Sequence, residues 1–375
     1  MSKKLNNQVK YREPLIVNVA VAVIHHKEQY LLGFRNAAQH QGNRYEFVGG
    51  KIDDNESAEE AVIREVAEET GIKIHNNTVV KLGRLHHDYG DKQVSLQVYK
   101  IELTTQQYEQ HKHSQYGLEG QALTWVDKSE LLAGKYHLPA ANKTILEWLS
   151  VPTKIVITYP LSHFSANADP VAAWLRYHQE NLVAAAWVYV RIKEAASENI
   201  AVELIRLRPD MLAIIPHSND RRYLDSQYLD NEDSTTKDMS TFNQVVAYHL
   251  THTALMQWFD NTQEISASTS DQLLSVTHPL IVSCHDAASL HAANKLASAR
   301  LEQQLPPVIG AFLSPVLTTQ THPDTEPLGW ETWSVLAQLA DMPVIGLGGL
   351  SPMMIDQALQ CGGVSVAGIR QFFCP

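Results

Sequence analysis

A short break, Val151-Pro152-Thr153, separates two stretches whose apolar residues follow different patterns, and this change limits what the chain can fold into. Before the break, LIVNVAVAVI at 15–24 alternates in the manner of a strand. YLLGFR at 30–35 and VSLQVYKIEL at 94–103 read as two more strands, and KTILEWLS at 143–150 as a closing helix. After the break, KIVITYP at 154–160 begins a run in which strand-like and helix-like segments alternate. The run comprises AVELIRLRP, PLIVSCHD, the helix AASLHAANKLASARLEQQL, VIGAFLSPV, the helix ETWSVLAQLAD, PVIGLGGL, the helix PMMIDQALQCG and GVSVAGIR. NLVAAAWVYVRI at 181–192 reads as a buried helix or a helix–strand junction. Such alternation predicts a parallel α/β domain, and about 220 residues suffice for a (βα)8 barrel. The expected class is therefore α/β, with one domain over residues 1–150 and a barrel over 154–375. Residues 217–241, polar and rich in Asp and Ser, read as a long loop or insertion.

The net charge of -11 argues against a nucleic-acid polymer as partner, because binding a phosphate backbone needs a basic surface. It leaves room for a small phosphorylated ligand held by a few local cations and a metal. Cys284, Cys361 and Cys374 are too few and too scattered for a disulfide framework or a zinc pattern, which fits a reducing compartment. The opening MSKKLNNQVKYREP lacks the apolar core of a signal peptide, and no run of about 18 apolar residues is present. A cytoplasmic protein with no membrane partner is expected. His86, His87, His249 and His252 have no Cys or carboxylate at zinc spacing and read as surface or packing residues. Cys284 and His285 are adjacent on a strand and point to opposite faces, a poor geometry for a nucleophile–base pair.

The segment GGKIDDNESAEEAVIREVAEETGI, residues 49–72, raises a physical question. Asp54 or Asn55 can cap a helix here and Gly71 can stop it. At about 100° per residue, Glu65, Glu68 and Glu69 fall on one narrow arc. Val62, Ile63, Val66, Ala67 and Thr70 lie on the neighbouring arc and can face a core, whereas Ala58 and Ala61 share the acidic side and leave room above it. Like charges at this spacing destabilise a helix, so something must offset them. A hard divalent cation such as Mg2+ takes such oxygen clusters together with substrate phosphates.

The spacing runs Gly50, five residues, Glu56, seven residues, Arg64-Glu65-Val66, one residue, Glu68-Glu69, one residue, Gly71-Ile72. It resembles the Nudix box at every defining position, and the resemblance covers residues 15–149. It implies an α/β/α sandwich that hydrolyses a diphosphate linkage with Mg2+, for which Mn2+ is a substitute. It makes Glu65, Glu68 and Glu69 metal ligands, has Gly50 supply a backbone carbonyl, and pairs Arg64 with Glu56 to hold the loop against the helix. The flanking segments resemble the MutT type, which removes pyrophosphate from oxidised guanine nucleotides. YEFVGGKID resembles that group's entry to the box, with Val48 where Pro is usual. YGLEGQALTWV at 116–126 resembles its Glu-Gly-Gln segment, making Glu119 a further metal ligand or the base. HLPAANKTILEWL at 137–149 resembles its Pro-x-Ala-Asn segment, placing Asn142 to read the purine. By the same resemblance Arg35 reaches substrate phosphates, Phe47 lines the base pocket and Lys92 stands where a basic residue is common. The implied activity is conversion of 8-oxo-dGTP to 8-oxo-dGMP and pyrophosphate, in service of DNA replication and repair.

VSCHD at 282–286, FLSPVLTTQTHPDTEPLGW at 312–330, VIGLGGL at 344–350 and VAGIR at 366–370 resemble thiamine phosphate synthase and its regulatory relatives, which are (βα)8 barrels. The resemblance implies a phosphate site at Gly348, Gly349 and Gly368. Arg208 matches the strand-two Arg of that family. The paired Asp positions are missing from 210–280, and THPDTEP replaces the usual Lys after the Thr-rich loop. The barrel therefore reads as a degenerate binding or accessory module with a phosphorylated ligand. Two alternatives follow: a Nudix hydrolase of a thiamine-pathway diphosphate, and a fusion that senses a thiamine-related phosphate.

Overall fold

The computed structural model describes residues 16–38, 41–90, 92–192, 197–217, 243–263, 274, 277–320 and 325–373. The expectations for the N-terminal 14 residues, for 218–241 and for Cys374 fall outside these. Among the described residues, no helix is long and apolar enough to cross a membrane.

The first unit is a seven-stranded mixed sheet. Strand β1 (Ile16–His26) lies at its centre, because its alternate residues are buried on both faces. It pairs parallel with β6 (Gln93–Glu102) and antiparallel with β2 (Gln29–Phe34) and β4 (Val48–Lys51). The short β3 (Tyr45–Glu46) and β7 (Ala122–Asp127) flank β2, and β5 (Val79–Asp88) forms the edge beyond β6. Helix α1 (Ala58–Thr70) packs on one face through Ala58, Ala61, Val62 and Val66. Both alanines are thus buried in the core, contrary to the expectation that they face the acidic side. Two small helices follow, α2 (Thr105–His111) and α3 (Lys128–Leu132). Helix α4 (Asn142–Ser150) covers the opposite face with Ile145, Trp148 and Leu149.

The second unit is a closed, all-parallel barrel of eight strands. In chain order they are β8 (Lys154–Ile157), β9 (Trp187–Tyr189), β10 (Leu212–Pro216), β11 (Val245–Leu250), β12 (Leu280–Cys284), β13 (Val308–Leu313), β14 (Val344–Leu347) and β15 (Ser365–Gly368). Helices α5 (Pro170–Asn181), α6 (Ser197–Leu207), α7 (His252–Gln263), α8 (Ala287–Glu302), α9 (Gly329–Ala337) and α10 (Ile355–Gln360) belong to the connections. Segment 181–192 is a helix–strand junction, since α5 ends there and β9 begins. AVELIRLRP forms α6 instead of a strand, because Ile200, Leu204 and Ile205 repeat at helical spacing and are buried together. Arg208 follows that helix, so the strand-two match fails. Its guanidinium binds Asp210 and the carbonyls of Gln179, Leu182 and Val183.

The two units share one hydrophobic core. Leu82, Leu85 and Val98 of the sheet, Ile145, Trp148 and Leu149 of α4, and Ile155, Ile309 and Val364 of the barrel form a single cluster. Ile145 is fully buried at its centre. Ile145→Ala is expected to destabilise the protein by about 2–5 kcal/mol; urea unfolding checks this, and a loss under about 1 kcal/mol would contradict the packing.

Candidate active site

Helix α1 starts two or three residues later than its sequence suggests. Ser57 is the N-cap, and it exchanges hydrogen bonds with Glu60 in a capping box. Glu56 is therefore free to turn toward Arg64. The Arg64 guanidinium donates to both Glu56 oxygens at 3.1 and 2.6 Å, to Glu65 at 2.8 Å, to Glu68 at 3.0 Å and to the Lys51 carbonyl at 3.1 Å. One cation thus ties the loop to the helix and engages two of the three arc glutamates. These bonds hold the Glu56 carboxyl below its usual range and raise the guanidinium further above its own.

Glu65 and Glu69 point toward the Gly-Gly loop. A Cβ on Gly50 would collide with the Glu65 carboxylate, so a side chain there would push that carboxylate away from the loop. Glu69 accepts the Gly49 N–H at 3.1 Å and the Gln121 amide N–H at 3.1 Å. Burial pushes its carboxyl up to about 7 against those two bonds, with Glu46 and Glu65 adding repulsion. Glu65 is also raised, first by burial and then by Glu68 and Glu119, although Arg64 opposes the shift. Glu68 is the outermost of the three, with 54% of its side chain exposed. Glu119 is exposed on the turn that Leu118 fastens to α1 through the Glu69 carbonyl.

The remaining expected residues lie around this cluster. Arg35 is ion-paired with Glu46 across β2 and β3. Its charge, with that of Arg44, also reaches Tyr89. Phe47 is 4% exposed and packs in the core with Leu32 and Ile145. Lys92 sits in the β5–β6 hairpin, where its carbonyl accepts the Tyr89 N–H at 2.9 Å. Asn142 is 7% exposed at the first turn of α4, where Ala141 is the N-cap with no side-chain capping bond. Among the described residues, the Asn142 amide side chain makes no hydrogen bond. Two contributors were not singled out from sequence. Gln121 belongs to the Glu-Gly-Gln segment and is the member that touches Glu69, whereas Glu46 precedes Phe47 and holds Arg35.

The donor set suits a hard cation. Among the described residues, no three His, Cys, Asp or Glu side chains already converge as a metal site. Arg64 draws Glu65 and Glu68 to itself, and Gly49 and Gln121 hold Glu69. The groups are nevertheless all oxygen donors under mutual repulsion, and the buried Oε1 of Gln121 beside them has no partner. A divalent cation would relieve the repulsion.

In the barrel, Gly348 and Gly349 follow β14 with φ of 98° and 70° and pack against Pro315, Leu317 and Thr318. The space beside Gly368 is filled by the Phe372 ring. Each expected phosphate-site glycine therefore has a packing reason of its own. Tyr189 Oη lies 2.7 Å from His249 Nδ1, and Ser283 Oγ lies 2.8 Å from Nε2, inside the barrel. Burial pushes this imidazole down to about 3 and the Cys284 thiol up to about 12, so both stay neutral. The His252 ring lies 4.9 Å from that of His285.

A mixed sheet carrying a Gly-Gly loop, tied by one arginine to an acidic helix, defines the Nudix class of hydrolases. Residues 19–148 match the NUDIX domain family, and residues 267–372 match thiamine monophosphate synthase. The chain is 34% identical over 86 residues to the 8-oxo-dGTP diphosphatase of Proteus vulgaris, covering 23% of this chain and 75% of that protein. It is 29% identical over 131 residues to the 8-oxo-dGTP diphosphatase of Escherichia coli strain K12, covering 35% of this chain and 93% of the relative. It is also 29% identical over 133 residues to the CTP pyrophosphohydrolase of the same strain, covering 35% and 90%. The chain belongs to the Nudix family, with a thiamine monophosphate synthase-type barrel fused behind the hydrolase unit.

The raised Glu69 carboxyl has a consequence for stability. A carboxyl raised on folding contributes stability below its unfolded value, near 4.5, and that contribution is lost as pH rises through about 7. In chelator, Glu69→Gln should therefore melt progressively higher than the native chain between these values, by up to about 3 kcal/mol of stability above pH 7. Thermal melting against pH checks this, and parallel curves for the two proteins would refute it.

Proposed function

We propose that the hydrolase unit converts 8-oxo-dGTP to 8-oxo-dGMP and pyrophosphate, with Mg2+ as its metal and Mn2+ as a substitute. The observation that carries the purine reading is Asn142, 7% exposed at the head of α4, whose side-chain amide makes no hydrogen bond among the described residues. A purine edge offers the complementary pair. Two relatives named 8-oxo-dGTP diphosphatase support the same choice.

Glu65, Glu68 and Glu69, with the Gly50 carbonyl, would hold the metal. When bound, it polarises phosphoryl oxygens and neutralises charge on the leaving pyrophosphate. Arg64 positions Glu65 and Glu68 and fixes the loop through Glu56 and the Lys51 carbonyl. Gln121 and the Gly49 N–H fix the Glu69 carboxylate. Water attacks phosphorus, the bond to pyrophosphate breaks, and one of the carboxylates takes the water's proton. Glu119 suits this last role, since it is exposed at the cluster and no cation is paired with it among the described residues. Arg35, anchored by Glu46, and Lys92 supply positive charge for the remaining phosphates. The product of this activity removes an oxidised guanine nucleotide from the pool used in replication.

A second reading, hydrolysis of a thiamine-pathway diphosphate, is favoured by the fused barrel. Pyrophosphate or phosphate release from 8-oxo-dGTP, dGTP, CTP and thiamine diphosphate separates the readings. Preference for 8-oxo-dGTP is expected. Glu69→Gln should lower kcat by about 10²-fold or more. Asn142→Ala should raise KM for the purine substrate about tenfold, as expected for a lost base contact. A preference for CTP or thiamine diphosphate would overturn the assignment.

A further inference from the structure

Helix α4 is held at its two ends by different parts of the chain. At its N-terminus, the Ala141 N–H lies near Tyr89 of the β5–β6 hairpin and opposes the rise that burial gives this phenol. Toward its C-terminus, the Trp148 indole N–H donates to the carbonyl of Val308 at 3.1 Å, the first residue of barrel strand β13. Trp148 is 3% exposed, and a buried indole N–H needs such an acceptor.

The Trp148 ring sits where the barrel covers the free edge of the sheet. Strand β5 is that edge, and an uncovered edge exposes unpaired backbone groups. The Arg84 N–H donates to the Asp341 carbonyl at 3.3 Å, and its guanidinium meets both Asp341 carboxylate oxygens at 3.1 and 3.0 Å. Lys81 Nζ donates to the Gln338 carbonyl at 2.7 Å. Between Lys81 and Arg84, Gly83 lies at a bulge, and a Cβ there would come 2.6 Å from the Asp341 carbonyl oxygen and 2.8 Å from the Trp148 ring. The approach is close enough that the indole has no room to shift toward β5.

We propose that Trp148 is a positioning residue for substrate selection: through its bond to Val308, the barrel sets where α4 lies and so where Asn142 meets the substrate base. The inference rests on the base-reading role given to Asn142 above. The two residues are on one short helix, about 9 Å apart along its axis at 1.5 Å per residue. The helix has only nine residues, and so short a helix moves as a unit. Displacement at Trp148 therefore reaches Asn142, and small misplacements at a reacting complex are costly. In this account the barrel contributes to hydrolysis through the shared core, whatever ligand it takes.

The test uses the full chain. Trp148→Phe keeps an aromatic ring in the core and removes the indole N–H. It should raise KM for 8-oxo-dGTP about fivefold, the effect of one hydrogen bond, with kcat within about twofold of the native value. Amide exchange across residues 142–146 should quicken. In an Asn142→Ala background, Trp148→Phe should have no further effect on KM. Gly83→Ala, which crowds the same ring from β5 without removing the N–H, should also raise KM, and it carries the test if Trp148→Phe fails to fold. The proposal is overturned if Asn142→Ala raises KM while both interface variants leave it unchanged. It is also overturned if they lower kcat alone. If Asn142→Ala leaves KM unchanged, the base-reading role itself fails and takes this proposal with it, a pattern distinct from the first.

Discussion

The site depends on one imbalance: more carboxylates than cations at the junction of a glycine loop and a helix. Arg64 is the internal answer. It bridges Glu56, Glu65, Glu68 and the Lys51 carbonyl, so a single guanidinium holds loop and helix in register. Glu69 lies beyond its reach and relies on neutral donors, the Gly49 N–H and the Gln121 amide. Dipoles offset part of the cost of a buried carboxylate but supply no net charge. This explains why burial pushes the Glu69 carboxyl up to about 7, and why the donor set is suited to an added divalent cation.

The same economy of contacts links the two units. The sheet leaves β5 as a free edge, and the barrel presents the Gln338–Asp341 segment to cover it. Helix α4 lies between the two and contributes Ile145, Trp148 and Leu149 to a core that belongs to both. The helix is thus part of the hydrolase at Asn142 and part of the barrel's surroundings at Trp148. A barrel whose Gly348, Gly349 and Gly368 are tightly packed by their own chain can serve the fusion through this contact.

Much of the architecture was legible in the sequence because it is periodic. Alternating apolar residues marked β1, β2 and β6, the strand–helix alternation after residue 153 marked a parallel barrel, and the glycine at 71 marked the end of α1. The failures have local causes. AVELIRLRP, residues 201–209, reads as strand because its apolar content is high, yet the buried positions recur at helical spacing. The sequence offers Asp54 or Asn55 as the cap of α1, but the Ser57–Glu60 exchange supplies two bonds in place of one. Gln121 and Glu46 act through partners 52 and 11 residues away, and no local pattern reports such pairings. The burial of Phe47 and the seating of Gly83 against Asp341 likewise emerge only once the sheet and barrel are folded together.

The role given to the carboxylate cluster requires that it take a divalent cation without substrate. Mn2+ binding to the full chain, followed by electron paramagnetic resonance, reads this without relying on turnover. The free Mn2+ signal should fall on adding the native protein and be restored when Glu65 and Glu69 are both replaced by Gln. A native protein that leaves the signal unchanged, or a double variant that binds as well as the native chain, would contradict that role.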